Sequence, residues 1–327
     1  RLTPGRHRSS TVTSLMWWNV WELPEKLAKP FCYRKALCQV TTILSWLSVD
    51  SRAPSAIYIA GDSRITWGSS SKKWDSGRKL FACKSADIFG YCGDVLFPSL
   101  AIGQICDLSD RDILWNSRAT SQDRHEIITS YLKTSFERRY HAPDHDFTII
   151  HCARDGEHME SSFRAWTTSY HARERHWVDL EIPVGTPKRS KVLATLGSGD
   201  RALQDEIDKW EASPQGNTAR SIFSAFCDAL AREVDLLSGG VPQIVCLDRR
   251  GGGKVVGYIS EETRYLYGLP IQPQPELVKI QWRDSLFQLI CPHTLKLMDN
   301  AQKHARVDKP AQGGLTSFLN RIGKQLR

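Results

Sequence analysis

The chain is predicted to fold as an α+β protein, and three features of the sequence lead to this prediction. Strand-like and helix-like segments come in blocks: strands, two helices, strands, two helices, and strands again. The strand-like segments are rich in β-branched and aromatic residues and are bounded by turn-forming residues. The helix-like segments repeat apolar residues at a spacing of three and four. Blocks of this kind are typical of α+β folds.

The first block opens with a β-hairpin. Residues 41–48 (TTILSWLS) and 56–60 (AIYIA) are apolar and β-branched, and the turn-forming run 50–55 (DSRAPS) separates them. An antiparallel pair brings the start of one strand beside the end of the other. Thr41 is therefore expected to lie near Asp62.

The later elements follow in chain order. Strands are predicted at 79–83, 86–92, 147–153, 161–170, 177–182, 192–196, 242–248 and 254–260, and helices at 96–108, 121–139, 200–212 and 218–236. The last helix is expected to carry Asp235 at its end, with Gly239 as a cap. The glycine-rich run 248–253 is a hairpin turn, since it lacks the spacing of a phosphate-binding loop.

Two segments flank these elements. Residues 1–40 are a propeptide removed by self-cleavage, a genuine N-terminal extension, or upstream DNA read as protein with Val40 standing for a GTG start codon. The third interpretation is favoured, because the initiating methionine would be trimmed and Thr41 would become the first residue. Residues 263–327 form a C-terminal extension, with prolines marking a linker, a short apolar element at 286–298 and a basic amphipathic end from Gln312.

Composition excludes several classes of protein. The formal net charge is +8, but seven basic and two acidic residues within 1–40 supply +5 of it, and no nucleic-acid motif accompanies the mildly basic remainder. No apolar run approaches the roughly 20 residues that span a bilayer, and no signal peptide follows the basic start. We therefore expect a cytoplasmic protein that binds neither nucleic acid nor membranes.

Metal and disulfide sites are not predicted either. The nine cysteines include no CxxC pair, so they indicate small buried residues rather than a disulfide scaffold. His141, His145 and His151 cluster loosely with Asp144 and Asp146, but without a ligand spacing. We expect no metal and no cofactor.

Five short motifs stand in a specific order between residues 41 and 262. After the starting threonines come Gly61-Asp62-Ser63-Arg64, Arg78-Lys79-Leu80-Phe81, Gly90-Tyr91-Cys92-Gly93, Gly197-Ser198-Gly199 and Asp235-Leu-Leu-Ser238-Gly239-Gly240. In this order and spacing they resemble a β-type proteasome subunit or the proteasome-like heat-shock peptidase of bacteria. Both are N-terminal-nucleophile hydrolases. The resemblance implies a four-layer αββα sandwich over residues 41–262, in which two stacked sheets lie between helical layers. Family propeptides usually end in glycine, whereas Val40 precedes Thr41 here.

The chemistry of this family depends on a threonine at the chain terminus. A threonine hydroxyl is a poor nucleophile until a base removes its proton. At a terminus the base is the residue's own α-amine, whose ordinary pKa is about 7.7–8.0. Thr41 is the expected nucleophile, and inside a peptide its nitrogen is an amide that cannot act as the base.

The resemblance assigns roles to further residues. Lys79 is the lysine beside the nucleophile, with Asp62 as its carboxylate partner. Gly93 supplies a backbone N–H to the oxyanion. Ser198, Asp235 and Ser238 hold the terminal amine and relay its proton. The substrate-binding residues implied are Ile65, Gly77, Tyr91 and Val95, which line the pocket for the side chain before the scissile bond, and Thr66, which pairs with the substrate backbone.

The sequence therefore predicts a threonine-type endopeptidase that cleaves polypeptides or peptides within a ring-like homo-oligomer. The resemblance leaves open an ATPase unfoldase as a partner. Two alternatives remain: an N-terminal-nucleophile amidohydrolase that acts on a small amide, and a catalytically inactive scaffold subunit. A closed, narrow pocket would favour the first, and an unprocessed N-terminus would favour the second.

Overall fold

The computed structural model describes residues 41–306, except residues 68, 300 and 304, and for residues 69–71 it describes the backbone alone. The described part is a mixed α+β structure, as predicted. Its helices are α1 (Leu96–Ser109), α2 (Ser121–Glu137), α3 (Asp200–Glu211) and α4 (Ala219–Ala231). Its strands are β1 (Thr42–Val49), β2 (Pro54–Gly61), β3 (Ile65–Trp67), β4 (Ser69–Trp74), β5 (Leu80–Ala82), β6 (Asp87–Gly93), β7 (Phe147–Asp155), β8 (Ser162–His171), β9 (His176–Ile182), β10 (Lys191–Gly197), β11 (Gln243–Asp248), β12 (Lys254–Ser260), β13 (Thr263–Leu266), β14 (Leu269–Ile271) and β15 (Gln281–Arg283).

The strands form two large sheets and a hairpin. The first sheet has the order β10-β1-β2-β11-β12-β13-β14, and β15 adds an eighth strand by pairing with β12 in parallel. The second sheet is β5-β6-β7-β8-β9 and is antiparallel throughout. The strands β3 and β4 pair only with each other among the described residues. The predicted hairpin of β1 and β2 thus lies inside the first sheet, where it brings Thr42 close to Gly61 and Asp62.

Both faces of each large sheet are covered by apolar packing. On β1, Ile43 and Leu47 join a core cluster with Ile88 and Ile150 of the second sheet. The alternate side chains of β1 pack instead with α3 and α4, in a cluster that includes Leu44, Trp46, Leu203 and Phe223. Successive side chains of a strand point to opposite faces, so a strand covered on both sides is apolar at nearly every position. This explains why β1 carries apolar residues on both of its faces, with Thr42, Ser45 and Ser48 as the polar exceptions.

The helices α1 and α2 cover the second sheet. Phe97, Ile102 and Ile128 of the helices pack in one cluster with Phe89 and Phe147 of β6 and β7. Thr120 and Asp123 form a capping box that begins α2, because each side chain accepts from the other's backbone N–H.

The prediction that the last helix continues to residue 236 is wrong. The helix α4 ends at Ala231, and Glu233 takes a positive φ of 49° that stops the helical turn. Asp235 therefore lies in the loop after α4, and Gly239 does not cap that helix. The loop is needed to bring the Asp235 carboxylate to two serine hydroxyls, as described below.

The first sheet continues past residue 262. The hairpin of β13 and β14 extends its edge, and Phe287 packs edge-on against Trp46 and Tyr58 with ring centroids 5.9 and 5.4 Å apart. The apolar element predicted at 286–298 therefore contributes to the main core.

The interpretations of residues 1–40 and of the end beyond residue 306 concern residues outside the described part. Within that part, none of the helices is both long and apolar enough to cross a bilayer.

Candidate active site

The hydroxyl of Thr41 lies beside a buried ion pair. The Lys79 ammonium donates to Thr41 Oγ1 at 2.8 Å and to Asp62 Oδ1 at 2.9 Å. Thr41 and Lys79 are 2% and 1% exposed, and Asp62 is fully buried. Thr41 immediately precedes β1, Asp62 follows β2, and Lys79 precedes β5 of the other sheet. The structure therefore brings together three residues that the sequence separates by up to 38 positions.

Asp62 is held by backbone groups as well as by the lysine. Its Oδ1 also accepts from the Thr42 amide at 2.9 Å, and its Oδ2 accepts from the amides of Arg64 and Gly239 at 3.1 and 3.0 Å. A buried carboxylate needs this number of donors, since an unpaired buried charge is very costly. The four donors fix the carboxylate and, through it, the position of the Lys79 ammonium.

The ammonium of Lys79 is in an environment that makes its proton easier to lose. Burial lowers the pKa of Lys79 below its usual 10.5, and the neighbouring Asp62 acts in the opposite direction. A lysine with a lowered pKa that touches a hydroxyl in the interior is a typical feature of a functional site. Ion pairs of purely structural function can shift a pKa too, so the hydroxyl contact is the more informative observation.

The backbone at Thr41 is strained. Its φ is +131°, a region that β-branched residues rarely adopt and that costs on the order of 1–3 kcal/mol. The carbonyl of Thr41 is also closely approached, because a Cβ placed on Gly197 would lie 1.9 Å from Thr41 O. Gly197 itself has a φ of +98°. Glycine is thus required at this point of β10 for the chain to pass Thr41.

A second chain of hydroxyls adjoins the ion pair. Thr42 Oγ1 donates to Ser238 Oγ at 2.8 Å, and Ser238 Oγ donates to Asp235 Oδ2 at 2.7 Å. Ser198 donates to the same carboxylate oxygen at 2.5 Å. The two serines expected to hold the terminal amine thus share one carboxylate oxygen of Asp235, and Ser238 connects them to Thr42, the neighbour of the expected nucleophile. A Cβ on Gly199 would lie 1.9 Å from Thr42 Oγ1, which explains the glycine after Ser198.

Gly93, the expected oxyanion donor, ends β6. It has a φ of +93°, and a Cβ there would lie 2.3 Å from Asp146 O, so the packing against the start of β7 already requires a glycine. Cys92 precedes it and is close enough to Lys79 for the ammonium to act on its thiol. Burial nevertheless raises the pKa of Cys92 to about 12, which makes this thiol inert.

Three of the five residues expected to bind substrate, Ile65, Gly77 and Tyr91, lie at the segment before Lys79. A Cβ on Gly77 would lie 2.2 Å from Ile65 Cδ1, so the isoleucine covers the glycine. Tyr91 is buried, and its hydroxyl donates to Arg78 O at 2.9 Å. Thr66 donates to Leu237 O at 3.4 Å. Val95 stands at the start of α1 and packs against the cluster that contains Tyr91.

Three residues of this region were not singled out from the sequence. Thr42 contacts both Asp62 and Ser238. Arg64 makes two bonds of 2.7 and 3.0 Å to the carboxylate of Asp75 and donates to the carbonyls of Leu236 and Ser238. The third, Gln243, is described below. Arg64 is the last residue of the Gly61-Asp62-Ser63-Arg64 motif, so the sequence could have indicated it. Gln243 belongs to none of the five motifs.

This arrangement can activate a hydroxyl. A cation fixed by a carboxylate lies within hydrogen-bond distance of Thr41 Oγ1, which favours the deprotonated oxygen.

Among the described residues, there is no group of three or more His, Cys, Asp or Glu side chains that could hold a metal ion. Models of known protein families do not match the chain, and a search of curated proteins finds no match either. The functional interpretation therefore depends on this geometry.

Proposed function

We propose that the protein is a threonine-type endopeptidase whose nucleophile is Thr41 once it is the first residue of the chain. The observation that carries the proposal is the Lys79 ammonium, which lies 2.8 Å from Thr41 Oγ1 and 2.9 Å from Asp62 Oδ1 in a buried site. A hydroxyl, a cation and a carboxylate in this order are the parts that hydroxyl activation needs.

The reaction uses the α-amine of Thr41 as the base. The amine takes the hydroxyl proton while the Lys79 ammonium stabilises the developing negative charge on Oγ1. Oγ1 attacks the substrate carbonyl, and the resulting oxyanion is stabilised by backbone N–H groups, for which Gly93 is the proposed donor. The leaving amine departs with the transferred proton, and water then hydrolyses the ester. Ser198, Asp235 and Ser238 are proposed to hold the α-amine through this cycle.

The strained backbone at Thr41 supports this proposal. A φ of +131° at a β-branched residue persists only where the surroundings enforce it, and such strain concentrates at functional sites. Cleavage of the bond before Thr41 would relieve it and would create the α-amine. Both self-cleavage of a propeptide and removal of an initiating methionine would give this product.

The layers of packing support a finer fold assignment. Residues of both sheets share one apolar cluster, side chains of α1 and α2 pack with the second sheet, and side chains of α3 and α4 pack with the first. We infer that this is the four-layer αββα sandwich of N-terminal-nucleophile hydrolases. In that fold a nucleophile at the start of a central strand would face the lysine of the opposite sheet.

A peptide substrate and a homo-oligomer are part of the proposal. Large apolar side chains near the site remain exposed: Trp67 and Trp74 of the β3–β4 hairpin are 54% and 50% exposed, and Val234 and Leu236 in the neighbouring loop are 67% and 59% exposed. Exposed apolar patches mark surfaces that bind other chains. We propose that another copy of the chain or an unfolded polypeptide covers them.

One observation favours the inactive scaffold as the second candidate. Thr41 is only 2% exposed, and its nitrogen cannot act as a base while it is part of a peptide bond. If the residues before Thr41 stay attached, the same ion pair would be a structural element of a non-catalytic subunit.

Turnover of fluorogenic peptides by Thr41 variants tests the proposal. Thr41→Ala removes the hydroxyl and should reduce kcat by at least about 10³-fold. Thr41→Ser keeps a hydroxyl beside Lys79 and should retain measurable turnover. Thr42→Ser is the matched control, since its hydroxyl contacts Ser238 and not Lys79. Equal activity of Thr41→Ala and the unmodified protein would refute the assignment.

A further inference from the structure

Gln243 is a buried amide that contacts three backbone groups of the candidate site. It opens β11 and is 1% exposed. Its Oε1 accepts from the Lys79 amide at 3.1 Å, and its Nε2 donates to Gly77 O at 2.6 Å and to Asp62 O at 3.4 Å. One side chain thus connects the segment that carries Lys79 to the strand end that carries Asp62.

These partners fix the orientation of the amide. The Lys79 N–H is a donor and must face Oε1, whereas the two carbonyls are acceptors and must face Nε2. A side chain with a single type of polar atom could not satisfy all three groups. Since a buried polar group is costly without a partner, Gln243 and the surrounding backbone determine each other's position.

The contact crosses between the two sheets. Lys79 precedes β5 of the second sheet, and Asp62 follows β2 of the first. Between the sheets lies mainly apolar packing, and apolar packing is non-directional. A hydrogen bond of fixed geometry at this point can set the distance between Lys79 and Asp62 where packing alone would leave it variable.

We propose that Gln243 is a positioning residue, which holds the Lys79 segment against the end of β2 so that the ammonium reaches Thr41 Oγ1 and Asp62 Oδ1 together. The inference rests on the proposed function of that site. Gln243 would affect the chemical step by positioning Lys79, and it would not contact the substrate.

Two variants of Gln243 separate positioning from packing. Gln243→Met keeps the approximate size and removes all three hydrogen bonds. Gln243→Glu keeps the shape and the acceptor for the Lys79 N–H, but an ionised carboxylate cannot donate to the two carbonyls. Gln288→Met is the matched control, because Gln288 is also a buried glutamine, 8% exposed, within the 281–290 segment rather than at the site.

The expected result is a loss in kcat with little change in KM. Misplacing a reacting group by about 1 Å costs on the order of 10²-fold, so Gln243→Met should lower kcat by about that factor while KM changes by less than about twofold. As the pH is lowered, the carboxylate of Gln243→Glu becomes protonated and regains one hydrogen-bond donor. The kcat of Gln243→Glu should therefore rise relative to the kcat of Gln243→Met. A kcat of Gln243→Met equal to that of Gln288→Met would overturn the inference.

A second readout does not depend on catalysis. The ¹⁵Nζ signal of Lys79, identified by its loss in Lys79→Arg, should move in Gln243→Met and stay in place in Gln288→Met. If Gln243→Met does not fold, the near-isosteric Gln243→Glu is used instead. A protein without turnover would contradict the proposed function, yet a moved Lys79 signal would still support Gln243 as the positioning residue. An unmoved signal would overturn that assignment whatever the activity.

Discussion

Two buried charge networks among the described residues can be compared, and only the first contacts the hydroxyl of the proposed nucleophile, Thr41. The threonine network consists of Thr41, Asp62 and Lys79. The histidine network consists of Asp87, Arg124, His125, His151 and Asp179. Both networks contain a fully buried aspartate paired with a basic side chain, Lys79 at 2.9 Å in the first and Arg124 at 2.9 Å in the second. Burial and charge alone therefore do not distinguish a candidate active site.

The histidine network is closed on itself. His151 Nε2 lies 3.0 Å from Asp87, its Nδ1 lies 3.0 Å from His125 Nδ1, and His125 Nε2 lies 3.1 Å from Asp179. The rings stack between Phe89 and Trp166. Every ring nitrogen has a partner within the network, and α2 is thereby attached to the second sheet. This is the arrangement of a structural connection.

The threonine network differs in what surrounds its last member. Its final acceptor is a hydroxyl on a residue with a strained φ of +131°. Gly197 and Gly199 allow the chain to pass within contact of Thr41 and Thr42, where a Cβ would collide with either residue. Hydroxyls occur in the histidine network too, where Thr168 donates to Asp179 at 2.7 Å, but none of the five network residues has a positive φ. The comparison teaches that a hydroxyl in contact with the buried cation, on a residue with a strained backbone, is what indicates chemistry.

The largest expected effect separates the networks by activity. Lys79→Met removes the cation beside Thr41 Oγ1 and should reduce kcat by about 10³-fold. The free energy of unfolding should fall by about 3 kcal/mol, since a buried carboxylate loses its ionic partner, although three backbone amides still bind Asp62. Peptide turnover and urea unfolding check both effects. Retained turnover in folded Lys79→Met would remove the distinction between the networks.

The matched change in the histidine network should affect stability alone. Asp87→Asn keeps the shape but removes the nearest carboxylate of the buried Arg124 and leaves only Asp155, at 3.8 Å. The expected cost is about 3 kcal/mol in the free energy of unfolding. At a temperature where the variant is folded, its kcat should stay within about twofold of the unmodified protein. A loss of kcat comparable to that of Lys79→Met would show that the histidine network takes part in catalysis.

A smaller effect is expected from the hydroxyl chain. Ser238→Ala removes the connection between Thr42 and Asp235 and should lower kcat by about 10-fold, equivalent to about 1.4 kcal/mol of activation free energy. The control is Thr168→Val, which removes a hydroxyl that donates to Asp179 at 2.7 Å in the histidine network. That variant should not change kcat, and equal effects of the two changes would argue against a role for Ser238.

The smallest expected effect is a dependence of stability on pH. Burial lowers the pKa of His151 below its usual 6.5, against the opposing effect of Asp87. The unfolded chain therefore binds a proton near pH 6.5 that the folded chain does not yet bind, and the free energy of unfolding falls as the pH drops below about 6.5. The groups facing His151 are Asp87, His125 and Arg124. Urea unfolding between pH 7.5 and 5.5 should show this slope, and His151→Gln should flatten it.

The sequence predicted the blocks of structure well, because most strands of the two main sheets are rich in β-branched and aromatic residues and the helices repeat apolar residues at a spacing of three and four. It could not predict the β3–β4 hairpin, where Ser69 to Lys73 are polar, nor the end of α4, where loop geometry overrides an apolar pattern. Gln243 could not be found either, since its role arises from contacts between distant segments. The register of the β1–β2 hairpin was enough to predict that Thr41 lies near Asp62. The position of Lys79 beside them was predicted only from the resemblance to the proteasome family.

The central claim is that the active protein begins at Thr41. The most direct test is N-terminal sequencing, together with the intact mass, of protein that has been purified and shown to cleave a peptide. The account predicts threonine as the first residue, followed by threonine and isoleucine, and a mass that lacks residues 1–40. Turnover by protein whose chain still carries residues before Thr41 would contradict it.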